Sequence, residues 1–121
     1  VSLSSQISTG HFRSRHVHTN RDNEYFAFSQ VTQTLKRACQ SGDRYLMIEA
    51  AHSSNQLWTI VATDLMHPEN TLPSDIKAGL LSLAFFSLKQ GHHVISSGVP
   101  ADPLIEVNMR IMRGLRGESD P

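Results

Sequence analysis

The stretch "LPSDIKAGLLSLAFFSLKQ" (residues 72–90) decides the fold, because it must be placed before anything around it can be. Between Lys77 and Lys89 lie eleven uncharged residues, eight of them apolar. Such a segment belongs in a membrane, in a protein core, or against another protein. Length excludes the membrane, since a spanning helix needs about twenty apolar residues. Local chemistry marks it as a helix. Pro73 suits the first helical position, where its missing N–H costs nothing. Asp75 in the first turn complements the helix dipole. Val94 and Ile95 continue the apolar stripe past Gly91, so the helix is expected to reach about Ser96, with Gly98 closing it. At about 100° per residue it is apolar over more than half its circumference. Its polar wedge holds Ala78, Ser82 and Lys89, and Phe85 and Phe86 stand on opposite edges of that wedge.

Helical spacing recurs on both sides of this segment, while alternating strand patterns and Asn-Gly hairpin turns are missing from the sequence. A first helix is expected over about residues 22–40. Ala27, Phe28, Val31, Leu35, Ala38 and Cys39 form its apolar face, and Phe26 points the other way. Asn20 or Asp22 can cap its start, and Gly42 can close it in the left-handed conformation. A second helix is expected over about residues 43–66. Its stripe is Met47, Ala50, Ala51, Leu57, Trp58, Val61, Ala62 and Leu65, with Glu49, His52, Gln56 and Thr63 on the wet side. Pro68 stops it by disfavouring helix at the preceding residue. The last helix starts near Pro103 and ends near Gly114. Short connections between such helices predict an all-α fold, a small antiparallel bundle of about four helices.

Bulk properties agree with one domain. The chain has 121 residues, 39% hydrophobic and 18% charged, with zero formal net charge, so no global field draws it to nucleic acid or anionic membrane. The expected organisation is a flexible basic leader over residues 1–21, the bundle over residues 22–116, and a polar tail over residues 117–121. The leader carries Arg13, Arg15 and Arg21 without an acidic residue. Cys39 is the only cysteine, which excludes an internal disulfide and suits a reducing, cytoplasmic location. The opening "VSLSSQISTG" lacks the basic segment and long apolar core of an export signal.

No set of polar residues converges on a reaction, and neither catalytic residues, a metal nor a cofactor is expected. His92 and His93 are adjacent rather than one turn apart, and His52 is followed by Gln56 instead of a second ligand. "GLRGES" lacks the lysine and spacing of a phosphate loop. Basic and aromatic residues do not interleave on one face, so nucleic acid is not an expected partner. What remains is apolar surplus. Three other helices must cover the third, leaving two readings open: Phe85 and Phe86 complete the core, or part of that area awaits a visitor. On the fourth helix Leu104, Val107, Ile111 and Leu115 form one face, and Ile105, Met109 and Met112 an adjoining one. Asn108 falls between the two and needs hydrogen-bond partners. Trp58 lies at the edge of its stripe, where its ring can pack and its N–H still meet a polar group. Ile60 points to a nominally wet face.

Three blocks in order, "NQLWTIVATDL" (residues 55–65), "NTLPSDIKAGLLSLAFFSL" (residues 70–88) and "PLIEVNMRIMRGL" (residues 103–115), resemble the FlaF family of alphaproteobacterial flagellar biosynthesis regulators. The likeness covers about residues 23–116. Its most specific pieces are Leu57–Trp58 with Asp64, Asn70 through Leu72 and Pro73, and Pro103, Leu104 and Ile105 followed by Val107, Asn108, Ile111 and Met112. It implies a small cytoplasmic helical protein acting in flagellin production, a flagellin-binding secretion chaperone that works alongside FlbT or components of type III flagellar export. An apolar groove covering an amphipathic flagellin helix would fit that role. Phe85, Phe86, Ile105, Met109 and Met112 are expected to line the groove, with Ile60 at its rim and Trp58, Asn108, Pro73 and Pro103 structural. The rival readings are a post-transcriptional regulator of flagellin synthesis reaching RNA through the basic leader, and an adaptor docking on FlbT or the export gate.

Overall fold

The computed structural model describes the backbone of residues 10–117 and the side chains of residues 22–117. The described residues form four helices: α1 (Gly10–Ser41), α2 (Arg44–Met66), α3 (Ser74–Ser97) and α4 (Asp102–Leu115). The bundle is all-α, and no strand occurs among the described residues. The helix α1 begins twelve residues before the expected start. Between Gly10 and Gly42 there is neither proline nor glycine to stop a helix, so propagation from the packed segment continues backwards without needing an apolar face. The part of the expected leader that precedes Gly10, the side chains of Arg13, Arg15, His16, His18 and Arg21, and the tail from residue 118 lie outside the described residues.

Each connection is held by identifiable chemistry. At the α1–α2 corner Gly42 takes a left-handed φ of 69°. Asp43 then caps α2, its Oδ1 accepting from the N–H groups of Tyr45 at 2.9 Å and Leu46 at 3.3 Å. Between α2 and α3, Asn70 is the organiser. Its Nδ2 donates to the Asp64 carbonyl at 3.0 Å, and its Oδ1 accepts from the Leu72 N–H at 3.1 Å. The backbone carbonyl of Asn70 accepts from Lys77 Nζ at 3.1 Å. Pro73 then stands at the N-cap of α3 rather than at its first turn, and its carbonyl accepts the Lys77 N–H at 2.9 Å. Gly98, at φ 71°, closes α3. The Arg44 guanidinium donates to the Val94 carbonyl at 2.7 Å, which also accepts the Gly98 N–H at 3.2 Å, and to that of Ile95 at the helix end. Pro103 lies in the opening turn of α4. Gly117, not Gly114, takes the left-handed conformation after that helix.

The helices pack as a ring in chain order. α2 lies most extensively against α3, α1 touches both α2 and α4, and the α3–α4 contact is the slightest. Neighbours run antiparallel: Arg44 at the start of α2 meets the end of α3, and Arg116 after α4 donates to the Tyr25 hydroxyl early in the described part of α1, at 3.2 Å. Two apolar clusters fill the centre. One gathers Phe28, Leu57, Trp58, Val61, Ala62, Leu65, Ala84, Val107 and Ile111. The other gathers Leu35, Ala38, Ala50, Ala51, Val94, Ala101 and Leu104. Cys39, assigned by spacing to the apolar face of α1, is exposed.

The α2–α3 contact is close because α3 presents small residues to it. Ala84, Ser87 and Gly91 are all buried. A methyl group added at Gly91 would lie 2.1 Å from Asn55 Oδ1, so glycine is what lets the two helices approach.

Candidate functional site

A polar contact lies in the buried centre. Trp58 and Asn108 are both fully buried, and the indole N–H donates to Asn108 Oδ1 at 2.9 Å. Phe28 packs on the same indole edge to face, with centroids 5.2 Å apart and planes at 69°. The pair crosses the bundle from α2 to α4 and ties diagonal helices together. Its work is structural, for both side chains are fully enclosed.

The surface is where unspent apolar area lies. Phe85 is 53% exposed and Phe86 45% exposed, on a helix whose opposite face carries Ala84, Ser87, Gly91 and Val94 into the core. Ile60 on α2 is 47% exposed. It borders an open hollow of about 670 Å³ on the outside of the α2–α3 pair, lined by His52, Asn55, Gln56, Thr59, Ile60 and Leu88. Phe85 stands one turn before Leu88 on α3 and is not part of that hollow's lining.

The α4 residues are placed differently. Ile105 and Met109, half-buried, border a second hollow of about 400 Å³ with Asp102, Glu106 and Arg113. Ile105 packs against the cluster containing Leu35 and Leu104, and Met112 against the one containing Trp58 and Ile111. The structure therefore brings Ile105 and Met109 to one hollow and sets Ile60 on another. Neither of these hollows takes in all six of the expected groove residues. Phe26 and Tyr45 are further exposed aromatics, on α1 and at the start of α2.

Among the described residues no three His, Cys, Asp or Glu side chains are grouped as metal ligands would be. The Cys39 thiol, although exposed, has its pKa raised, first by the slight burial that it does have and then by the nearby Asp102 carboxylate, which disfavours the nucleophilic thiolate. Among the described residues no helix is long and apolar enough to cross a membrane.

Sequence reasoning missed the buried small polar residues Thr32, Ser54 and Ser87. The available signal was their helical register with the apolar stripe: Ser54 lies one turn from both Ala51 and Trp58.

The class that this architecture defines is a small up-and-down four-helix bundle with a sealed core and aromatic side chains left on its outside. The particular family follows from comparison: the family model described as "Flagellar protein FlaF" matches residues 11–115. The chain belongs to the FlaF family, and its role is one in the flagellar system. The match takes in residues 11–22, which lie before the stretch whose resemblance was legible by eye. No curated protein and no solved structure gives a match.

Proposed function

We propose that this protein is a cytoplasmic flagellin-binding chaperone that covers an amphipathic flagellin helix before export. The observation that carries the reading is the pair of half-exposed rings, Phe85 and Phe86, on a helix already supplied with a complete core face. Leaving large rings in water forgoes about 25 cal/mol for each Å² of apolar surface. Two such rings in succession on one helix gain the isolated fold nothing unless something else covers them.

An amphipathic helix is a suitable occupant, because its anchors at i, i+3, i+4 and i+7 read a surface of spaced apolar side chains. Phe85, Phe86 and Ile60 are the primary anchors in this reading. Ile105 and Met109 offer a second contact along α4, where methionine can adjust to different partners. Met112, packed on the core, contributes mainly by supporting them.

The test is size-exclusion chromatography with light scattering on the purified chain mixed with flagellin. Phe85→Asp and Phe86→Asp should each abolish co-elution while leaving helical circular dichroism and melting temperature unchanged. Co-elution that survives both changes removes the assignment of the surface. A wild-type chain that never co-elutes with flagellin removes the chaperone reading itself.

A further inference from the structure

Every helix of the bundle turns one small polar side chain wholly inward: Thr32 from α1, Ser54 from α2, Ser87 from α3 and Asn108 from α4, none more than 3% exposed. They fall where the two apolar clusters meet. Thr32 is one turn from Phe28 of one cluster and from Leu35 of the other. Ser54 stands likewise between Ala51 and Trp58, and Asn108 between Leu104 and Ile111. Ser87 follows Ala84 by one turn and precedes Gly91 by one turn, with Val94 beyond.

Contacts across the bundle set these positions at one level. Trp58, a turn from Ser54, reaches Asn108. Phe28, a turn from Thr32, meets the Trp58 ring. Gly91, a turn from Ser87, lies against Asn55, the neighbour of Ser54 in sequence.

Their hydrogen bonding sets them apart from the other hydroxyl residues. A helical Ser or Thr commonly donates to the carbonyl one turn back. Thr34, Thr59, Thr63 and Ser96, all on the outside, do so at 2.8–2.9 Å. The inward hydroxyls do not. Thr32 Oγ1, Ser54 Oγ, Ser87 Oγ and Asn108 Nδ2 are all enclosed and have no hydrogen-bond partner within the described chain. Buried polar groups in folded proteins are almost always satisfied, by protein or by ordered water. Orphans from all four helices at one level, with Asn55 Oδ1 as a fifth beside Ser54 and Gly91, are therefore a site rather than separate defects.

We propose that this layer is an internal water-binding site, in which at least one buried water bridges the four helices. Water suits the donor set. The Asn108 amide can only donate through Nδ2, each hydroxyl can donate or accept, and a buried water needs about 2–4 such partners. The site also has a consequence for the fold: sliding one helix by a turn would set its polar group against an apolar cluster, so the layer selects the register.

Two measurements on the full chain test this. In a crystal structure that resolves ordered solvent, a water should lie within about 3.2 Å of Asn108 Nδ2 and of at least one of the three hydroxyls. A dry layer, with the hydroxyls turned to carbonyls one turn back, overturns the proposal. The second measurement reads a sign. Thr32→Val keeps the shape but takes a partner from the water, and should lower the melting temperature by about 4 °C. If the layer is dry, the same change removes an unpaired hydroxyl, and an unchanged or higher melting temperature overturns the proposal. Should the variant fail to fold, the wild-type crystal decides alone.

Discussion

Trp58 and Asn108 offer the sharpest test of how the bundle is held, because each can be deprived of the other without touching the surface. The indole N–H and the amide oxygen are 2.9 Å apart and fully enclosed. Trp58→Phe removes the donor and strands a buried carbonyl oxygen, which costs about 1–3 kcal/mol. The missing ring leaves a partly collapsed cavity beside Phe28, adding about 1 kcal/mol. Asn108→Leu is nearly isosteric but leaves the indole N–H unpaired, again about 1–3 kcal/mol. The double variant strands neither group, so its cost should fall short of the summed single costs by about 1–2 kcal/mol. Urea unfolding followed by far-ultraviolet circular dichroism is the assay, since Trp58 is the sole tryptophan and its fluorescence disappears with it. Single costs that add within about 0.5 kcal/mol would mean that the contact carries no coupling energy and that the diagonal tie is only a packing coincidence.

Further expectations follow from the rest of the structure. Gly91→Ala drives a methyl to 2.1 Å from Asn55 Oδ1 and should destabilise by about 1–2 kcal/mol. In an Asn55→Ala background the same change should stabilise through helix propensity, and a stabilising effect in both backgrounds would refute the close approach. Asn70→Ala removes the bonds to the Asp64 carbonyl and the Leu72 N–H, and should lower the melting temperature by about 4–8 °C with helix content retained. Because burial and then Asp102 raise the Cys39 pKa, its alkylation by iodoacetamide near pH 8 should be slower than that of a free cysteine. Asp102→Asn should lower that pKa and speed the reaction; an unaltered rate would remove the Asp102 contribution.

Much of the architecture was legible because helix ends are local chemistry. Asp43, Gly42 and Gly98 act within a few residues of themselves, and spacing placed α2 and α3 to within a residue or two. The start of α1 was not legible, since a helix without breakers can extend beyond its apolar face. Nor was the polar layer. Hydropathy counts Thr32, Ser54 and Ser87 as wet, although their register puts them at the centre, and it counts Cys39 as apolar although it lies outside. Trp58 and Asn108 were each recognisable as groups in need of a partner. That they satisfy each other, fifty positions apart, depends on how α2 and α4 sit in the ring, which no local pattern carries. The same limit applies to the surface. The surplus of Phe85 and Phe86 can be read from one helical projection. The separation of Ile105 and Met109 from Ile60 requires knowing which helix stands beside which.

The residues that make the family resemblance specific are mostly those that hold the scaffold. Trp58 pairs with Asn108, Asp64 and Leu72 are bound by Asn70, Pro73 opens α3, and Leu104 and Ile111 sit in the two clusters. Changing any of them would lose partner binding along with the fold, and so would say nothing about the contact surface. Phe85, Phe86 and Ile60 lie within the same blocks of sequence yet stand about half-exposed, outside the packed centre. Two variants measured side by side therefore separate scaffold from surface. Trp58→Phe should weaken flagellin capture only in proportion to its loss of folded protein, and recover it on cooling towards full folding. Phe86→Asp should lose capture at every temperature while melting like the wild type. If the two variants instead lose capture in step with their melting curves, the rings of α3 are part of the scaffold too, and the partner must be sought on another face.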